Sequence, residues 1–233
     1  MTEIIVALDF NDQQTAYSLI SRLQHLAPIL KIGNEMFTLF GPNFVRDIVA
    51  AGYRVFLDLK FHDIPHTVAR SCVAAADLGV WMLNIHASGG LKMMQTAMDS
   101  LQSNSMTRPL VTAVTVLTSL AAVDVAQIGC NYPLQEQALN LAMLAKDAGL
   151  DGVVCSAWDA NTIKESCGVN FLTITPGIRL NSTIITDDQQ RIATAQEAVA
   201  LGSDYIVVGR PITQAHDPVA MLTEFYNILG ITR

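Results

Sequence analysis

The stretch Val55-Phe-Leu-Asp58-Leu-Lys60-Phe-His-Asp63-Ile-Pro65 places two carboxylates and one ammonium directly after an apolar run. A strand with no polar face is typical of a parallel sheet that is buried on both sides. If residues 54–60 form such a strand, Asp58 and Lys60 lie on the same side, and Asp63 curls back towards them from the following loop. An ammonium between two anions is favoured in its charged form, which makes Lys60 a candidate proton donor and a poor imine-forming nucleophile. The pattern predicts a reaction centre in preference to a solvated charged loop.

The composition of the 233-residue chain agrees with a buried parallel sheet. Hydrophobic residues make up 51% of the chain and charged residues only 15%, which indicates strands covered on both faces. We expect one domain over residues 1–233. The formal net charge of -7 argues against broad electrostatic binding to nucleic acid or to an anionic membrane. An anionic ligand would therefore need a local basic pocket.

The cysteine pattern and the N-terminus both indicate a soluble cytoplasmic protein. The four cysteines form neither a CxxC pair nor a zinc-finger spacing with histidine, so we expect reduced, mostly buried thiols and no structural metal. The first residues run straight into an apolar strand, without the basic segment of a signal peptide. No stretch approaches the roughly 18 apolar residues of a membrane span.

Short apolar runs alternate with helix-like segments along the whole chain. The runs predicted as strands are Ile4–Leu8, Ile29–Ile32, Val55–Leu59, Trp81–Ile85, Leu110–Val116, Gly152–Cys155, Phe171–Thr175 and Tyr205–Val208. The helical segments include Thr67–Leu78, Leu91–Leu101, Gln135–Ala148 and Gln190–Leu201, several of them closed by the glycines Gly79, Gly149 and Gly202. Eight such units at this length predict a single-domain (β/α)8 TIM barrel, with an open doubly wound sheet as the competing topology. The long connection from Thr118 to Pro133 is a candidate functional loop over the barrel mouth.

Catalytic groups of (β/α)8 barrels gather at the C-terminal ends of the strands, and the polar residues of this chain follow that rule. The residues at or after the predicted strand ends are Asp9, Lys31, Asp58, Lys60, His86, Thr115, Thr118, Ser156, Arg179 and Arg210. For His86 and Ser156, the favoured interpretation is a strand-end cap or a satisfied buried polar group. The remaining residues predict an active site at this end of the barrel.

Two glycine-containing loops close the chain, Thr175-Pro-Gly177-Ile-Arg179 and Val208-Gly209-Arg210-Pro-Ile-Thr213. Loops after the seventh and eighth strands of a barrel often bind phosphate, where backbone N–H groups and a guanidinium supply the donors. We therefore expect a phosphorylated substrate. The chain contains neither GxxxxGK[ST] nor a GxGxxG after a strand, so a nucleoside triphosphate or dinucleotide cofactor is not indicated.

Over nearly its whole length the chain resembles the orotidine 5'-phosphate decarboxylase family. The motifs that carry the resemblance are Ala7-Leu-Asp9-Phe, Leu30-Lys31-Ile-Gly33, Phe56-Leu-Asp58-Leu-Lys60-Phe-His-Asp63-Ile-Pro65, Asn84-Ile-His86-Ala, Leu117-Thr118-Ser119, Thr175-Pro-Gly-Ile-Arg179, Asp188-Gln189 and Val208-Gly209-Arg210. The resemblance implies conversion of orotidine 5'-phosphate to uridine 5'-monophosphate and CO2 in pyrimidine synthesis, without cofactor or metal. It further implies a homodimer in which Asp63 and Thr67 reach into the partner's site.

The resemblance also assigns site residues. Lys60 would donate the proton, and Asp58, Asp63 and Lys31 would complete an alternating charge array. The implied substrate-binding residues are Asp9, Lys31, Asp58, Lys60, Asp63, Ile64, Pro65, Thr67, Thr118, Arg179, Gln189, Gly209 and Arg210. Asp9 and Lys31 would hold ribose hydroxyls, Thr118 would approach the pyrimidine, and Gln189, Gly209 and Arg210 would bind phosphate with Arg179 beside them. Residues 180–187 depart from the commonest bacterial pattern by being slightly longer, and would form a phosphate lid that substrate orders.

Two other functions remain open on the sequence. One is a related sugar-phosphate decarboxylase or aldolase with a similar Asp-x-Lys-x-x-Asp motif, which would use a divalent metal to stabilise an enediolate. The extra carboxylate ligands that such a metal needs are not apparent. The other is a catalytically silent sensor of a phosphorylated ligand, which would not need Lys60 between two acids.

Overall fold

Eight parallel strands close into a barrel in the computed structural model, which describes residues 2–103, 108–180 and 191–231. The barrel strands are β1 (Glu3–Leu8), β2 (Ile29–Gly33), β3 (Val55–Phe61), β4 (Met82–His86), β5 (Leu110–Val114), β6 (Gly152–Val154), β7 (Leu172–Thr175) and β10 (Tyr205–Val208). A separate parallel pair is formed by β8 (Ile178–Arg179) and β9 (Ala193–Thr194). Strands β1 and β10 pair and close the barrel. The predicted (β/α)8 barrel is confirmed, and the open doubly wound alternative is wrong.

Helices connect the barrel strands and pack around them. The α-helices of the described residues are α1 (Gln13–Leu23), α2 (Asn34–Ala50), α3 (Pro65–Ala76), α4 (Leu91–Gln102), α5 (Ala122–Gln127), α6 (Leu134–Asp147), α7 (Ala157–Cys167), α8 (Ala195–Ala200), α9 (Arg210–Thr213) and α10 (Pro218–Leu229). Short 3-10 turns cover Gln24–Leu26 and Ala87–Gly89. No helix in these ranges is long and apolar enough to cross a membrane. The four cysteines are free thiols, and Cys72, Cys155 and Cys167 are buried.

Two predicted elements differ from the structure. The helix predicted from Gln190 begins only at Ala195, because β9 occupies the preceding residues and Thr194 caps the helix. The Thr194 hydroxyl accepts the Glu197 N–H at 3.2 Å, and the Glu197 carboxylate accepts the Thr194 N–H at 2.8 Å, which is a capping box. The connection over residues 118–133, predicted as irregular, contains α5.

The alternation of side chains along the strands fills the barrel interior with apolar groups. Its buried residues are Ile5, Ala7, Ile29, Phe56, Met82, Val114, Val154, Ile174 and Val207. The residues between them face the helices and belong to a second, larger core cluster, as Leu30 and Leu57 do. Because the period is two, the next inward positions after Ala7, Ile29 and Phe56 are Asp9, Lys31 and Asp58.

The N-terminal end of the barrel is sealed by polar and aromatic contacts. Arg54 binds both carboxylate oxygens of Glu3 and lies 5.1 Å from the centre of the Trp81 ring. Trp81 in turn meets Tyr205 edge-on, with 5.3 Å between ring centroids. A ligand therefore has access to the interior from the opposite end, where Asp9, Lys31 and Asp58 lie.

Candidate active site

A cavity of about 450 Å³ opens at the C-terminal ends of the barrel strands. It is lined by Ala7, Asp9, Lys31, Phe56, Asp58, Lys60, Val114, Val116, Leu117, Thr118, Ser119, Val154, Cys155, Pro176, Gly177, Arg179, Val207, Gly209, Arg210 and Gln214. Its floor is the apolar interior of the barrel, and its rim carries charged and polar groups. A volume of this size suits one small-molecule ligand.

Four of the lining residues form a chain of alternating charges. The ammonium of Lys31 lies 3.3 Å from Asp9 Oδ1 and 3.3 Å from Asp58 Oδ2. The other oxygen of Asp58, Oδ1, accepts a hydrogen bond of 2.7 Å from Lys60 Nζ. The order Asp9, Lys31, Asp58, Lys60 therefore runs from β1 through β2 to β3. This order of charges follows the order of the strands in the barrel, because β2 pairs with β1 on one side and with β3 on the other.

The charged state of the inner pair is stabilised by the array itself. Burial alone would lower the pKa of Lys31, but Asp58 and Asp9 raise it above its ordinary value. Burial alone would raise the pKa of Asp58, yet the two lysines and a hydrogen bond from Asn84 lower it overall. Both groups are accordingly charged near neutral pH, although each is largely removed from water. Lys31 and Asp58 therefore provide fixed charge where solvent screening is weak, while Asp9 and Lys60 at the two ends of the array are more exposed.

Lys60 reaches the cavity through an irregular strand. The contact with Asp58 that we predicted from strand alternation is present, but the alternation is not regular there. Lys60 has a φ of +51°, and the pairing of β3 with β4 shifts register between Leu57 and Phe61. A β-bulge next to an active site commonly redirects a side chain in this way. Lys60 therefore lies next to Asp58 as predicted, but a β-bulge places it there and not the regular alternation of a strand.

Asp63 does not join the array of its own chain. Its side chain is exposed, and Oδ1 accepts a hydrogen bond of 2.6 Å from the N–H of Ile64. The predicted return of Asp63 towards Asp58 and Lys60 within one chain is therefore wrong, because the backbone after β3 turns outward into α3. Ile64 and Thr67 are likewise exposed, Pro65 is half-buried, and the cavity of this chain is lined by none of the three.

The two glycine-containing loops meet on one side of the cavity. Gly177 and Arg179 lie after β7, Gly209 and Arg210 lie after β10, and all four line the cavity. The Arg179 guanidinium donates to the carbonyl of Ile178 at 2.9 Å, and Arg210 is the first residue of α9. Two guanidinium groups on one wall form a suitable place for a dianion. Gln189 and nearly all of the 180–187 stretch lie outside the described residues.

Of the remaining residues at the strand ends, one lines the cavity and the others make contacts within the fold. Thr118 is buried and lines the cavity. Thr115 donates to the Val154 carbonyl at 3.2 Å, and Ser156 caps α7 by accepting the Trp158 N–H at 3.4 Å. His86 packs against His62 with 5.4 Å between ring centroids. The interpretation of Ser156 as a cap agrees with its contact. The interpretation of His86 as a satisfied polar group stays a prediction.

Sequence reasoning missed three features of the site. Gln214 of the cavity wall follows α9 and has no distinctive motif. Asn84, which was quoted only as part of a family motif and given no role, is fully buried between Asp58 and the Lys60 backbone. A signal for its role was present, since an amide interrupts an apolar strand. The third is a buried ion pair in which Arg191 binds both carboxylate oxygens of Asp159, at 2.8 and 2.6 Å. It fixes the chain after residue 190 to the start of α7.

Comparisons with known proteins agree with this geometry. The sequence profile of the "Orotidine 5'-phosphate decarboxylase / HUMPS family" matches residues 2–225. The chain is 53% identical over 221 residues to orotidine 5'-phosphate decarboxylase of Legionella pneumophila (strain Lens), covering 95% of this chain and 96% of that relative. It is 54% identical over 228 residues to the enzyme of that name from Photobacterium profundum, covering 98% of each chain.

Solved structures show the same likeness. The crystal structure of orotidine 5'-phosphate decarboxylase from Lactobacillus acidophilus superposes with a TM-score of 0.86 at 37% identity, covering 98% of this chain and 99% of that one. An uncharacterized conserved protein from Geobacillus kaustophilus gives a TM-score of 0.85 at 38% identity, covering 97% and 99%. With a family profile that spans almost the whole sequence and relatives more than half identical to it, the chain belongs to the orotidine 5'-phosphate decarboxylase / HUMPS family.

Proposed function

We propose that this protein decarboxylates orotidine 5'-phosphate to uridine 5'-monophosphate and CO2, without a metal or cofactor, and that Lys60 is the proton donor. The observation that carries the proposal is the fixed array Asp9, Lys31, Asp58 and Lys60 at the mouth of a closed barrel. The names and the sequence identity of the relatives support the same reaction. The reaction would serve pyrimidine synthesis.

The charge array suits the chemistry of this decarboxylation. Breaking the bond between C6 and the carboxylate leaves an electron pair on C6 of the pyrimidine, where the ring has no electron sink comparable to that of a cofactor. A preorganised ammonium beside C6 stabilises that developing charge, most strongly once the substrate has displaced water from the cavity. Lys60 then transfers a proton to C6, which completes uridine 5'-monophosphate, and the neutral amine regains its proton from solvent. Asp58 orients the ammonium from 2.7 Å away.

The two ends of the cavity suit the two ends of the substrate. Arg179, Gly209 and Arg210 would receive the phosphate, with Gln189 as a further ligand. Asp9 and Lys31 would hold ribose hydroxyls, and the buried Thr118 would contact the pyrimidine. Binding energy from the phosphate, which does not react, would be used to align the ring over Lys60.

The exposed segment after β3 supports a dimer with shared sites. Asp63 and Thr67 are exposed in the single chain, and the Ile64 side chain between them is 66% exposed. This exposed segment directly follows the strand that carries Asp58 and Lys60, so it is accessible to a second copy of the chain near the active site. In the proposed homodimer, Asp63 and Thr67 enter the partner's active site, and Ile64 and Pro65 lie beside the substrate there. Buried free thiols agree with action in the reducing cytoplasm.

The first prediction concerns metal independence. Purified protein should consume orotidine 5'-phosphate at the same rate before and after exhaustive chelation. The loss of absorbance of orotidine 5'-phosphate measures this rate. The carboxylates of Asp9 and Asp58 already pair with Lys31 and Lys60, and in the described ranges no group of three or more His, Cys, Asp or Glu side chains is arranged to hold a metal. Activity that disappears with chelator and returns only with magnesium would favour the metal-dependent sugar-phosphate enzyme. Binding without turnover would favour the sensor.

The second prediction concerns the phosphate end. Arg210→Ala should raise KM and lower kcat/KM about 100-fold, because charged hydrogen bonds to phosphate contribute about 3 kcal/mol. Turnover should fall as well, since the phosphate contacts help to position the ring. Steady-state kinetics on orotidine 5'-phosphate measure both effects.

A matched control and a truncated substrate sharpen this test. Arg22→Ala removes an equal charge from α1, where Arg22 only approaches Asp217 at 3.8 Å on the surface, and should leave the kinetics unchanged. With orotidine, which lacks the phosphate, added phosphite dianion should stimulate the wild-type protein and fail to stimulate Arg210→Ala. Wild-type kinetics from Arg210→Ala would remove Arg210 from the phosphate site.

A further inference from the structure

The bulge in β3 leaves one residue of β4 facing three residues of its neighbour. Leu57 pairs with Leu83, and the next paired residues are Phe61 and Ile85. Between these pairs, residues 58–60 of β3 have Asn84 alone opposite them. A bulge of this kind leaves backbone groups without partners in the ladder. The Lys60 N–H is one such group, and it lies at the centre of the proposed active site.

The Asn84 side chain supplies the missing partner. It is 0% exposed, and its Oδ1 accepts the Lys60 N–H at 2.8 Å. Its Nδ2 donates to Asp58 Oδ1 at 2.7 Å, and the same oxygen accepts the Lys60 ammonium at 2.7 Å. One carboxamide thus contacts the backbone of Lys60 and the carboxylate that holds the Lys60 side chain. These partners also fix the orientation of the amide, because Oδ1 can only accept and Nδ2 can only donate.

The contacts of Asn84 stabilise a strained conformation. Lys60 has a φ of +51°, and Ala27 is the other residue besides glycine with a positive φ in the described part of the chain. Such a conformation is disfavoured for residues other than glycine and persists where the surroundings determine it. Here the hydrogen bond that the Lys60 N–H donates to Asn84 of the neighbouring strand does so. Without it, Lys60 could relax towards ordinary strand geometry, and its ammonium would move away from Asp58.

We propose that Asn84 is a positioning residue for the decarboxylation: its carboxamide holds the Lys60 backbone in the left-handed conformation and fixes the Asp58 oxygen that orients the Lys60 ammonium. The inference rests on the proposed function and adds a residue to it. Asn84 does not line the cavity, so it acts through Lys60 and Asp58. Its effect should therefore fall on turnover, while the phosphate and ribose contacts are unchanged.

The test uses Asn84→Asp, which has nearly the same shape. When the new carboxyl is protonated, its carbonyl oxygen can accept the Lys60 N–H and its O–H can donate to Asp58, so both contacts are retained. When it is ionised, it offers no donor and repels the Asp58 carboxylate. The kcat of Asn84→Asp relative to wild type should therefore fall as pH rises from about 5 to 8, through the apparent pKa of the coupled carboxylates. Asn84→Ala should lose about 10- to 100-fold in kcat at every pH, as supporting hydrogen-bond partners of reacting groups do.

Three controls separate positioning from folding. The first control is Thr112→Val. Thr112 is another fully buried polar residue, it lies opposite Asn84 on β5, and its hydroxyl donates to the Leu83 carbonyl. The kcat of Thr112→Val should equal that of wild type at every pH. The dissociation constant for uridine 5'-monophosphate should change by less than about threefold in both Asn84 variants. Thermal melting at each pH checks that the measured protein is folded.

The outcomes are distinct. A relative kcat of Asn84→Asp that is constant with pH, or a loss confined to KM, would overturn the proposal. So would failure of both Asn84 variants to fold while Thr112→Val folds, because Asn84 would then be needed for the barrel itself. A wild-type protein that does not consume orotidine 5'-phosphate would instead refute the proposed function, whatever the Asn84 variants do.

Discussion

Replacing Lys60 with alanine should lower kcat for orotidine 5'-phosphate by at least about 10⁴-fold, the largest effect expected for any single substitution in this chain. The side chain serves twice, as the charge that stabilises the carbanion and as the acid that protonates it. Each role typically contributes about 10² or more to the rate. Single-turnover measurements with enzyme in excess are suited to a residual rate this small.

The controls for Lys60→Ala follow from its surroundings. The variant should bind uridine 5'-monophosphate through the proposed phosphate contacts of Arg179, Gly209 and Arg210. Lys92→Ala, which removes an exposed ammonium from α4, should have wild-type kinetics. Lys60→Gly should be equally inactive but more stable than Lys60→Ala by about 1 kcal/mol, because glycine accepts the φ of +51° without the Cβ penalty. Substantial turnover by folded Lys60→Ala would remove Lys60 from the mechanism.

Much of this site could be predicted because it depends on strand periodicity. Ala7 and Asp9, Ile29 and Lys31, and Phe56 and Asp58 each lie two residues apart on neighbouring parallel strands. A closed barrel sends such positions to its interior and gathers the strand ends at one mouth. The same rule, applied to the loops after β7 and β10, places the residues that we propose to bind phosphate at the cavity. The fold and the placement of these residues at one mouth of the barrel therefore rest on local patterns that one sequence displays, whereas the alternating charge array was implied by the family resemblance.

The features that were missed depend on contacts between distant residues. A regular alternation and a bulge look alike in the letters around Lys60, because the register shift is a property of β3 and β4 together. The partner of Arg191 is Asp159, which is 32 residues away. The direction of Asp63 depends on the turn into α3, and its proposed role depends on a second copy of the chain. The periodicity of the sequence carries no information about the turn into α3 or about contacts with a second copy of the chain.

The shared active site leads to a prediction of recovered activity. Lys60→Ala and Asp63→Ala should each be nearly inactive as homodimers, since every site then lacks one charged group. When equal amounts of the two are unfolded together and reassembled, a mixed dimer contains one site with both defects and one site with wild-type Lys60 and wild-type Asp63. Random pairing makes about half of the dimers mixed, and half of their sites are intact, so roughly a quarter of wild-type activity should return.

The exposed position of Asp63 in the single chain is the reason to expect this recovery, because Asp63 makes its 2.6 Å hydrogen bond with Ile64 and none with Lys60. A matched mixture of Lys60→Ala with Asp58→Asn should stay inactive, since Asp58 and Lys60 of one chain meet at 2.7 Å and belong to one site. Subunit exchange can be verified by tagging one variant and isolating mixed dimers. If verified mixed dimers of Lys60→Ala and Asp63→Ala remain inactive, Asp63 acts in the site of its own chain or in none, and the outward turn after β3 has no role in catalysis.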